Sequence, residues 1–286
     1  MRSVHRRQQP AIATLLVVLL ALVTAGLVVA ALLRSAGAGE TAMAAASSPL
    51  ASGTPASSSS DSSSTDSSTA DAEPTTDEQH ASLGAARRAL TGPATISVIG
   101  DSTGDAAGEW VDLWAQHLAD DGRRVTLHQW ATDQYASQPT TYGDGGDREV
   151  SIWNAGKPGG TADWAADRLG TVQPERPDLL ILSLGHNNRH TDVDAQLDRL
   201  RGDMKNRWDD PTIPTVVILQ NPRRHEREAP QAATLRSIRA WATDHDVPTI
   251  DVTSAFADPD RQMLDDAHPN PAGSEAWATT VADALG

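Results

Sequence analysis

The sequence predicts one α/β domain built on a parallel sheet with helices on both faces, preceded by a membrane-spanning segment and a disordered linker. Three observations carry this. From Ala94 onward short apolar runs alternate with segments of helical periodicity, which is the pattern of a doubly covered parallel sheet. Residues 11–33 are an uncharged run rich in Leu, Val and Ala, and 12 of the 24 residues from Ser47 to Ala70 are Ser.

Taken in order, residues 1–10 hold Arg2, Arg6 and Arg7, and the apolar run of residues 11–33 follows. As a helix this run would be about 35 Å long against a hydrocarbon core of about 30 Å. The positive-inside rule then puts residues 1–10 in the cytoplasm and everything after Arg34 outside. A cleaved signal peptide is the alternative, but its apolar core has about 7–15 residues, so the length favours a retained anchor; both readings export the domain. Residues 34–93, poor in large apolar side chains, cannot recover their ordering entropy and read as a linker.

Residues 94–286 form the domain. Its expected strands are Ile96 to Ile99, Val125 to Trp130, Val150 to Trp153, Leu179 to Leu184, Thr215 to Leu219 and Pro248 to Val252. Between them, Trp110, Leu113, Trp114, His117 and Leu118 hold one helical face, as do Val193, Leu197, Leu200 and Met204. In the last helix Asn270 can cap, Pro271 suits the first position, and Trp277, Val281, Ala284 and Leu285 make the buried stripe. The polar, Gly-rich segment from Ala131 to Arg148 reads as a long loop.

Composition narrows the chemistry. Beyond residue 34 the chain carries 19 bases against 38 acids, which disfavours nucleic acid as a partner. With no Cys there is no disulfide framework, thiolate metal site or Cys nucleophile. In an open parallel sheet the active site lies beyond the carboxyl ends of the strands, and polar clusters stand at four such places. They are Gly100-Asp101-Ser102-Thr103-Gly104, Asn154-Ala155-Gly156, Gly185-His186-Asn187-Asn188, and Asp265-Asp266-Ala267-His268 after the last strand. A Ser at a tight strand-to-helix turn projects its oxygen above the sheet, but needs a base to remove its proton. His268 can be that base, and Asp265, three residues earlier, can hold its other ring nitrogen. The backbone amides of Ser102 and Gly156 and the side-chain amide of Asn187 are candidate donors to the oxyanion that forms when an ester carbonyl is attacked.

These four segments in this order resemble the SGNH hydrolase superfamily, the GDSL-type esterases and lipases, whose named residues match Ser102, Gly156, Asn187 and His268. The resemblance covers residues 94–286. It implies a three-layer flavodoxin-like fold, Ser102 as nucleophile, His268 as base, Asp265 rather than Asp266 as its partner, and Ser102, Gly156 and Asn187 as the oxyanion hole. Two departures stand out: Asn188 replaces the usual Asp of the third block, and Thr103 stands where the short family name has Leu.

The expected activity is that of an extracellular serine esterase acting on short acyl groups, such as acetyl groups of envelope glycans, with no cofactor. Acyl transfer to a glycan hydroxyl and a non-catalytic envelope-binding module are the alternatives. Trp153 and Arg223 are the substrate-binding candidates, the first to stack on a sugar ring and the second to receive an anionic group; burial for Trp153 and ion pairing within its own loop for Arg223 are the structural alternatives. A metal between His186 and His190 is not expected, since no third ligand has a recognisable spacing. The domain would sit outside the cell membrane on its N-terminal helix, or be secreted if that segment is cleaved.

Overall fold

The computed structural model describes residues 83–225 and 230–286. The membrane segment at residues 11–33 and the linker up to residue 82 lie outside the described residues, among which no helix is long and apolar enough to cross a membrane.

The helix α1 (Gly84–Ala89) comes first, then β1 (Ala94–Gly100), α2 (Trp110–Asp120), β2 (Arg124–Gln129), β3 (Thr140–Tyr142) and β4 (Glu149–Gly156). Two short helices, α3 (Ala162–Ala166) and α4 (Leu169–Val172), lead to β5 (Leu179–Ser183) and α5 (Val193–Arg207). The chain closes with β6 (Thr215–Leu219), α6 (Pro230–Asp244), β7 (Thr249–Asp251), a 3-10 turn at Thr253–Ala255, α7 (Pro259–Gln262) and α8 (Pro271–Leu285).

The sheet order is β3-β2-β4-β1-β5-β6-β7, parallel throughout except where β3 pairs with β2. The five adjacent strands β4-β1-β5-β6-β7 have the flavodoxin-like order 2-1-3-4-5 in their own sequence numbering, and β2 with β3 extends the sheet beyond β4. Side chains alternate between two apolar layers, as the period of two demands. Ile96, Val98, Leu179 and Ile181 face the layer covered by α1, α2 and α8, while Ile99, Leu180 and Leu182 face the layer covered by α3 to α6. In the first layer the indoles of Trp110 and Trp277 stack at 5.5 Å, joining α2 to α8.

All six expected strands form, and three expectations shift. β3 pairs Thr140 to Leu127 inside the segment read as a loop, an edge strand too short and polar to announce itself. On α2 the buried face includes Val111 and Ala115, while Leu113 and His117 are only half-buried, because helices pack on it from the α8 side as well as from the sheet. Finally, the folded part begins before residue 94. Leu83, Ala86 and Leu90 are buried in the core with Leu285, so residues 83–93 belong to the domain and not to the linker.

Candidate active site

The loops at the carboxyl ends of β1, β4, β5 and β6, with the segment between α7 and α8, meet above the centre of the sheet. At the end of β1, Asp101 is buried and its Oδ1 accepts from the amide and hydroxyl of Thr103 (3.1 and 2.8 Å), shaping a turn that lifts Ser102 out of the core. Ser102 Oγ lies 2.8 Å from His268 Nε2. On the far side of the ring, Nδ1 lies 2.9 Å from Asp265 Oδ2, and Asp265 Oδ1 accepts from the amides of Ala267 and His268, each at 2.8 Å. The amide of His268, then the amide of Ala267 and the ring of His268, hold the Asp265 carboxyl down at about 2, so it is ionised through the neutral range. Asp266 turns the other way, to Arg223 Nη1 (3.3 Å) and the amide of His225 (3.0 Å).

Of the three donors expected from the sequence, the Gly156 amide is placed differently. The Gly156 amide donates to Asn154 Oδ1 (3.0 Å), and a Cβ on Gly156 would meet Asp105 Cα at 2.9 Å and Gly104 O at 3.0 Å. Gly156 is therefore small so that the Ser102 loop can close on β4, and its N–H is already used. Further along, Gly159 has φ +72 and Gly160 packs against Gly100 O, where a Cβ would sit at 2.7 Å. The amides of Ser102 and Gly159 donate to no other group among the described residues. Asn187 Nδ2 reaches Gly160 O at 3.3 Å, so the Asn187 side chain and the Gly159-Gly160 turn adjoin. Two further glycines after Asn154 were the sequence signal for this turn. Asn188, standing for the usual Asp, donates to Gln196 Oε1 (2.6 Å), while its own Oδ1 is buried without a partner.

Both substrate-binding candidates already have protein partners. The Trp153 ring is half-buried, stacked on His128 at 3.8 Å and in edge contact with Tyr135, so one of its faces is taken by His128. The Arg223 guanidinium is engaged by Asp266 and by the carbonyl of His186 (3.3 Å). Both ring nitrogens of His186 are hydrogen-bonded, to Asn221 and Gln231.

At the carboxyl ends of β2 and β4 a cleft of about 410 Å³ opens between Asp105, Trp130, Thr132, Gly156 and Lys157. Burial raises the Asp105 carboxyl and pushes Glu109 up to about 7, opposed in both cases by His268. The sequence offers no motif for this carboxyl pair. A larger hollow, about 520 Å³ and bounded by Thr95, Arg124 and Asp178, opens at the amino ends of the strands, away from this chemistry.

A serine held by a histidine and a carboxylate at the carboxyl ends of a doubly wound sheet defines a serine hydrolase. The chain belongs to the GDSL-like Lipase/Acylhydrolase family, whose model matches residues 98–276, and is an ester-hydrolysing enzyme of that kind. Its fold is similar to that of an alpha/beta hydrolase from the metagenome of Lake Arreo, Spain (18% identity, 69% of this chain and 97% of that one, TM-score 0.51). It is equally similar to a mutant of an acetyl-xylooligosaccharide esterase from Geobacillus Stearmophilus (15% identity, 69% and 96% covered, TM-score 0.51). No curated protein is significantly similar to the chain in sequence.

Proposed function

We propose that the protein is an exported esterase that removes short acyl groups from hydroxyl-rich molecules of the cell envelope through an acyl-enzyme on Ser102. The observation that carries this is the Ser102–His268–Asp265 relay, with contacts of 2.8 and 2.9 Å. His268 takes the Ser102 proton as the oxygen attacks the acyl carbon, and Asp265 holds the ring and balances its positive charge. The negative oxygen is received by the amides of Ser102 and Gly159 and by Asn187 Nδ2, with Gly159 taking the place expected of Gly156. The alcohol leaves with the proton from His268. Water, activated by the same ring, then cleaves the acyl-enzyme.

A short acyl group is supported by the scarcity of large apolar side chains exposed on the domain. Leu264 is the one large apolar side chain exposed among the described residues, too little surface to hold a long chain. The acetyl esterase among the structural relatives suggests an acylated glycan as substrate. Export and membrane attachment rest on residues 11–33 and the arginines that precede them.

Hydrolysis of p-nitrophenyl acetate by the full chain, beside Ser102→Ala, tests the reading. Activity that disappears in the variant supports it. Equal rates in both proteins, or none in either, would overturn it in favour of obligate acyl transfer or of glycan binding without chemistry.

A further inference from the structure

The carboxyl end of β6 runs into Gln220 and Asn221, both fully buried although neither belongs to the relay. Gln220 Nε2 donates to Asp101 Oδ2 and to Ser183 O, both at 3.0 Å, and its Oε1 accepts from the amide of His186 (3.0 Å). It thus joins the residue before Ser102 to the residue before Asn187. Asn221 Nδ2 donates to the carbonyl of Ala267, the residue before His268, at 3.0 Å. Because that nitrogen faces the carbonyls of Ala267 and Pro222, Oδ1 is the atom turned to His186 Nε2 (3.1 Å), so Nε2 carries the ring proton and Nδ1 accepts from Gln231 (3.1 Å). Burial disfavours a charge on this imidazole, consistent with a neutral ring held by one donor and one acceptor.

We infer that Gln220 and Asn221 are positioning residues that hold the Ser102, Asn187 and His268 loops in one register. The proposal rests on the esterase reading. The physical reason for such a strap is that the three loops leave different strands, and the reacting groups must hold their mutual geometry to within a fraction of an ångström. A buried amide does this well: its four hydrogen-bonding sites are directional, and slippage leaves them unpaired in a medium without water. Gln231 and Arg223 complete the strap, Gln231 accepting from the Arg223 amide (2.9 Å) and donating to Asn221 O (2.8 Å).

The test is Asn221→Ala in the full chain. It is followed by kcat and KM on p-nitrophenyl acetate, by thermal unfolding, and by the downfield proton resonance of the His268–Asp265 hydrogen bond. The inference expects kcat to fall about tenfold or more, KM to stay within about twofold, and the resonance to broaden or vanish in a protein that is still folded. A folded variant with normal kcat and an unchanged resonance, altered only in Tm, would overturn it. Should Asn221→Ala not fold, Asn221→Asp preserves the volume and removes the amide donor to Ala267 O and Pro222 O, with the same two outcomes. The resonance needs no turnover. A wild-type chain without esterase activity would therefore defeat the esterase reading while the resonance still decided the positioning role.

Discussion

Asn187 and Glu109 show what single side chains contribute around the Ser102–His268 contact. Asn187 is exposed and, among the described residues, its side chain is bonded only to Gly160 O at 3.3 Å, so its removal costs the fold little. As an oxyanion donor it matters only when charge develops; Asn187→Ala is expected to lower kcat by about 10²–10³ with the Tm nearly unchanged. Steady-state kinetics on p-nitrophenyl acetate checks this, and a loss under about threefold would remove Asn187 from the oxyanion hole. Glu109 contributes through its proton. A carboxyl whose pKa is raised on folding binds its proton more tightly in the folded state. Its favourable contribution is complete below its ordinary value of 4.5 and is lost as pH rises through about 7. Glu109→Gln, neutral at every pH, is expected to match the wild type in Tm below pH 4.5. Above pH 7 it should exceed it, by about 2–4 °C for each kcal/mol of relieved desolvation. Melting curves at the two ends of the range decide the matter, and a difference independent of pH would mean that the Glu109 charge is not buried against its will.

At the scale of elements, α8 links the core to the loop that carries Asp265 and His268. Asn270 Oδ1 accepts from the amides of Ala272 and Gly273 (2.9 and 3.1 Å), two of the donors that a helix start leaves unpaired, and Pro271 occupies a position that needs no N–H. Two residues before this cap stands His268, whose carbonyl accepts from Leu264 (2.8 Å). Loss of the cap therefore loosens the segment that carries His268 as well as the helix. Asn270→Ala is expected to cost about 1 kcal/mol, measured as a lower urea midpoint. The α8 stripe was legible in the sequence because Trp277, Val281 and Leu285 recur every four residues against one neighbour, the α2 side of the core. The α2 face was less legible: Val111 and Ala115 are buried while Leu113 and His117 are only half-buried, and periodicity reports only that one side is apolar.

For the whole molecule, the position of the domain boundary has consequences for stability. A chain beginning at residue 94 loses Leu83, Ala86 and Leu90 from the core, burial worth on the order of 3 kcal/mol or more. Chains starting at residues 83 and 94 are expected to differ by that amount in urea unfolding, and equal midpoints would return residues 83–93 to the linker. The sequence by itself determined the six parallel strands, the two apolar layers, and the Ser102, Asn187 and His268 blocks. Strand periodicity and strand-end polarity are local properties, written in consecutive residues. Only the tertiary structure decided that Gly156 spends its amide on Asn154, that one face of Trp153 is taken by His128, that Arg223 is paired with Asp266, and that Gln220 and Asn221 strap three loops together. Each of these depends on which distant atom takes a hydrogen bond or covers a ring. Such partners are chosen by the closure of the whole fold, and no spacing along the chain records them.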